Sequence, residues 1–60
     1  MSRRFRASLR LARTSLRKWS AKHDYSEGHV YEVLRGRRHS PALTALMEQF
    51  IDKHLGKDTA

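Results

Sequence analysis

Arginine and lysine are the side chains whose spacing first suggests a chemistry. Eight of the first 23 residues are Arg or Lys and none is acidic. Arg3, Arg6, Arg10, Arg13 and Arg17 recur at helical spacing, which lines guanidinium groups along one face. Such a stripe neutralises polyanions: the phosphates of nucleic acid or an anionic membrane surface. The whole chain carries a net charge of +7, while residues 24–60 hold five basic and six acidic groups and are nearly neutral. Acid–base and metal chemistry have less support. His23, His29, His39 and His54 show no ligand spacing such as two histidines four apart on a helix. Ser, His and Asp are present, but nothing sets a nucleophile beside a base, and 60 residues hardly enclose a cleft. The expectation is a binding protein: no enzyme, no metal, no cofactor and no small-molecule substrate.

The length allows one domain, residues 1–60, with a small core. No Cys is present, so packing alone must hold it, as suits a reducing cytoplasm. No uninterrupted apolar run is long enough for a secretory signal or a membrane span. An Arg- and Ser-rich, acid-free start also reads as a mitochondrial presequence, but its removal would leave about 37 residues, too few for a Cys-free fold.

One Pro, three Gly and no strand-like alternation predict an all-α chain. A first helix is expected over about Arg3–Ala12, with Phe5, Leu9, Ala12 and Leu16 along one face. Thr14-Ser15 offers a cap for a second helix, Leu16–His23, with Trp19 pointing inward. Asp24-Tyr25-Ser26 makes a tight connection, because Asp tolerates a left-handed backbone and Ser26 can cap the next helix. A third helix then spans about Glu27–Arg35, with Val30, Val33 and Leu34 inward and Gly36 as its left-handed stop. Ser40-Pro41 opens a fourth, to about His54, with Leu43, Leu46, Met47, Phe50, Ile51 and Leu55 on one side. Gly56 closes it, and Lys57 to Ala60 are expected to fray.

The stretch from Ser15 to Gly36 satisfies the demands of two short helices crossing closely. A bulky anchor precedes small residues in Trp19-Ser20-Ala21. Asp24 accepts the positive φ, Tyr25 plugs the turn, and Val30 and Val33 face inward. With the run Val33-Leu34-Arg35-Gly36 and Ser40-Pro41 beyond it, this pattern resembles the lambda-repressor-like family of phage repressors and Cro proteins. The resemblance covers about residues 5–55. Asp24 in place of the usual turn glycine and His23 in place of an apolar residue depart from the family pattern.

The resemblance implies a compact domain of four helices, or five, with a helix-turn-helix at about 15–36 and a C-terminal helix at about 41–54. It implies that the third helix enters the major groove of double-stranded DNA. Ser26, Glu27, Gly28, Tyr31, Glu32 and Arg35 then face the bases, with His29 on the flank. Glu27 and Glu32 suit the cytosine N4 donor, Arg35 or His29 a guanine or phosphate, and Tyr31 a thymine methyl. Phosphate contacts fall to Ser15, Arg17, Lys18 and Lys22 on the second helix, to Arg37 and Arg38 after the third, and to Arg3 and Arg4 as an arm. About six neutralised phosphates would give a salt slope near −5. The apolar excess of the fourth helix suggests a homodimer through Met47, Phe50, Ile51 and Leu55. Such a dimer would cover a palindromic operator with half-sites about 34 Å apart and exclude polymerase. The expected product is a cytoplasmic, nucleoid-associated repressor. Two rivals remain: a helix-turn-helix scaffold that binds and inhibits a protein, and a cationic amphipathic helix for a membrane or an acidic partner.

Overall fold

The computed structural model describes residues 2–56. They form four helices, α1 (Ser2–Leu11), α2 (Leu16–Lys22), α3 (Glu27–Leu34) and α4 (Pro41–Leu55), and no strand occurs among the described residues. None of these helices is long and apolar enough to cross a membrane. The expected fraying of Lys57 to Ala60 lies outside the described residues.

Each start and stop has a local cause. Ser15, Ser26 and Ser40 are the N-caps of α2, α3 and α4, their hydroxyls accepting from the N–H groups of Lys18, His29 and Leu43 at 3.2, 3.1 and 3.4 Å. Pro41 sits in the first turn of α4, where its missing N–H costs nothing. The first three helices end in one and the same way. A residue of positive φ follows the last turn, and the next N–H reaches back five residues: Thr14 to the Leu9 carbonyl, Tyr25 to Ser20, and Arg37 to Glu32. The left-handed positions are Arg13 (φ 56°), Asp24 (φ 62°) and Gly36 (φ 78°). These bonds satisfy carbonyls that the helix end would otherwise orphan. Asp24 and Gly36 behave as their residue types predict; Arg13 carries no such signal.

The core is built chiefly where α1 lies against α4. Phe5, Val30, Leu43 and Met47 are fully buried, with Leu9, Trp19, Val33 and Ile51 nearly so. Leu16, Tyr25, Leu34, Leu46 and Phe50 pack around them. Phe5 meets Trp19 edge-on at 4.9 Å and Phe50 at 5.6 Å, tying α1, α2 and α4 together. Two serines lie at the centre, Ser8 and Ser20, both fully buried. Their hydroxyls donate to the carbonyls four residues back, Arg4 at 2.9 Å and Leu16 at 2.6 Å, so small side chains permit close helix approach without an unmet polar group. The indole Nε1–H of Trp19 is different: it is buried with no acceptor among the described residues, at a cost of about 1–3 kcal/mol.

Two expectations are corrected here. Met47 and Ile51, assigned to a dimer interface, belong to the core of the single chain, because α1 covers that side of α4. The apolar excess of α4 is therefore absorbed internally: Leu43 is buried, and Leu46 and Phe50 are packed on the cluster. Leu55 alone of the four interface positions is exposed. Arg3 and Arg4 are not an extended arm either. Both lie in the first turn of α1, and Arg4 borders a shallow pocket with Glu48, Ile51 and Asp52 of α4.

Candidate nucleic-acid interface

The turn between α2 and α3 determines what α3 can present. Its left-handed Asp24 redirects the chain within the four residues between α2 and α3, and Tyr25, half-buried, packs against the core as the plug. Val30 and Val33 then anchor α3 from the inside. Everything between them must face outward or sideways. Ser26, Glu27, Gly28, Tyr31 and Arg35 are exposed, while His29 and Glu32 are half-buried at the edges of that face. All seven positions expected to read bases thus share one helix or its caps.

Neighbouring contacts order several of these groups. His29 stacks on Tyr25 with centroids 5.6 Å apart and planes only 9° from parallel, which holds the imidazole on the flank. Arg35 donates to the Tyr31 hydroxyl at 3.2 Å, and its guanidinium lies 5.6 Å from the centre of that ring. A donor-rich and an amphoteric group are therefore carried as a pair. Gly28 has open space where a Cβ would stand, so nothing within the fold requires glycine there. A glycine on the outer face keeps that part of the helix low.

The α3 C-cap creates a contact that sequence spacing hides. Bending the chain at Gly36 brings Arg37 back along α3, 3.8 Å from the Glu32 carboxylate. Arg37 is exposed and Glu32 half-exposed, so the pair contributes less than about 1 kcal/mol and either member can exchange its partner for a ligand at little cost. Glu32 was expected to read a base and Arg37 to hold phosphate; in the free protein each occupies the other. Arg38 lies in the same exposed turn.

On α2, Ser15 and Arg17 are exposed at the start of the helix. Ser15 already accepts the Lys18 N–H, leaving its hydroxyl proton free to donate. Lys18 and Lys22 are exposed on α2, as expected. They line a groove between α2 and α4 together with Lys53, and none of the seven α3 positions borders it. Sequence spacing had no signal for that groove, because α4 contributes half of it.

No protein-family model, no curated protein and no solved structure matches this chain.

Proposed function

We propose that the protein is a sequence-specific double-stranded DNA-binding regulator of the helix-turn-helix kind, working by occupancy of its site. The observation that carries this reading is the α2–turn–α3 unit. A short capped helix, a four-residue connection through left-handed Asp24 and a second capped helix hold a row of acceptors and donors outward. Glu27 and Glu32 supply acceptors, Arg35 a donor fork and Tyr31 either, the mixture that major-groove base edges call for. Arg37 and Arg38 at one end and Ser15 and Arg17 on α2 supply groups for flanking phosphates. The remaining positive charge, much of it on α1, adds long-range attraction that salt screens.

With Met47 and Ile51 taken into the core, pairing of two copies on a palindrome would rest on Leu55 and the half-exposed edge of Phe50. That is a small contact, and copies would pair on DNA more readily than free in solution.

Selection of bound duplexes from a random pool tests the function. The expected result is an enriched motif of a few base pairs, repeated with two-fold symmetry if two copies bind. Affinity for it should fall with salt at a slope near −5 for about six phosphate contacts. A pool that returns no motif, together with a salt slope near zero, would overturn the reading.

A further inference from the structure

The groove between α2 and α4 lies apart from the α3 face and has a character of its own. It encloses about 460 Å³ and is open along its length. Its floor is aromatic, with Trp19 and Phe50 5.8 Å apart. His23 packs on Trp19 at 4.4 Å and His54 meets Phe50 edge-on at 4.5 Å, so each ring is continued toward the rim by an imidazole. Lys18, Lys22 and Lys53 stand around it, and no carboxylate of the described residues lines it. Glu48 and Asp52 of α4 border the separate pocket with Arg4 instead.

We propose that this groove docks an acidic peptide segment of a partner protein, carrying one aromatic or large aliphatic side chain among its carboxylates. The apolar floor takes that side chain and the lysine rim takes the acids, a division that gives both affinity and orientation. The open form suits a segment laid across the surface better than a small molecule, whose sites cover most of the ligand. A DNA backbone offers the charge but nothing for the aromatic floor. The inference stands independently of the DNA reading, since no residue of α3 lines the groove.

Trp19 is the single tryptophan and reports directly on the groove. The probe is a blocked peptide of about twelve residues, Asp and Glu alternating with Ser around a central Phe, titrated into the full chain while indole emission is read. Saturable binding with a change in emission is expected, weakened about tenfold when Ser replaces the Phe and about tenfold by Lys53→Glu. Arg6→Glu makes the same charge change on an exposed face of α1 and should alter affinity less than about threefold. Lys53→Ala, with circular dichroism on every variant, guards against a folding defect in Lys53→Glu. The proposal is overturned if the peptide does not bind, if the Phe is dispensable, or if Arg6→Glu weakens binding as much as Lys53→Glu. It is equally overturned if phenylacetate competes at the same concentration as the peptide, or if light scattering traces the emission change to self-association. Binding to the selected DNA should be unchanged by Lys53→Ala.

Discussion

Three helices that end in one geometry, with three different residues at the left-handed position, form a natural series for measuring what that position costs. Arg13, Asp24 and Gly36 all have φ between 56° and 78°. For an L-residue this conformation costs about 1–2 kcal/mol, less for Asp, and almost nothing for Gly. Glycine in turn loses about 0.4–1 kcal/mol through its freer unfolded chain. The difference predicts that Arg13→Gly stabilises by about 1 kcal/mol and Asp24→Gly by about half of that. Gly36→Ala should destabilise by about 1 kcal/mol for backbone reasons alone, because a Cβ there meets nothing within 4 Å. At about 2.1 cal/mol/K per residue, unfolding this chain releases about 0.13 kcal/mol/K, so 1 kcal/mol moves the midpoint by about 8 °C. Thermal and urea unfolding followed by Trp19 emission would read these shifts. Arg13 also sits in the positive half of the chain, so Arg13→Ala, which removes the charge but keeps the Cβ, separates relief of repulsion from backbone strain. A lower midpoint for Asp24→Gly, or a higher one for Gly36→Ala, would refute the reasoning.

Further outcomes are expected on the α3 face and in the core. Glu27→Ala should relax preference at one position of the selected DNA while leaving non-specific affinity equal or higher, as duplex shift assays on single-base variants would read. Arg38→Ala should weaken all sequences alike and reduce the salt slope by about one; identical behaviour of these two variants would end the division into readers and phosphate contacts. Glu32→Ala frees Arg37, so its effect on non-specific binding should largely vanish in an Arg37→Ala background, a coupling that a double-mutant cycle measures. Ser20→Ala should change stability by less than about 1 kcal/mol because hydroxyl and hydrogen bond leave together, whereas Ser20→Leu should cost more than about 2 kcal/mol where the helices approach. Urea unfolding distinguishes the two.

The helix boundaries were legible to within about a residue, and the reason is local. Ser15, Ser26, Ser40 and Gly36 act through bonds spanning three to five residues, and Pro41 through its fixed φ in the first turn, all of which sequence displays directly. Trp19, Val30 and Val33 were legible as inward residues for the same kind of reason: helical period. What escaped depends on where distant segments meet. An apolar stripe on α4 announces burial but not the identity of its cover, so Met47 and Ile51 read as an interface although α1 lies on them. Lys18 and Lys22 read as exposed and are so, but nothing in α2 foretells the groove they share with Lys53 of α4. Arg13 gave no warning of its left-handed backbone, since arginine has no preference for one. The Glu32–Arg37 pair was hidden because five residues is no helical neighbour spacing; only the reversal at Gly36 brings the two together.

The clasp of α1 on α4 has a consequence for the order of events as the chain is made. The floor beneath the α2–turn–α3 unit comes from Phe5 at one end of the described chain and from Leu43, Met47 and Ile51 at the other. Contacts across so long a stretch close last, after the loop entropy between them has been overcome. A nascent segment reaching only through α3 therefore has helices and turn but no seat for them, and it exposes Phe5, Trp19 and Val30 together. The packed arrangement should arrive in one step when α4 docks, and a truncation within α4 should abolish structure everywhere rather than shorten it.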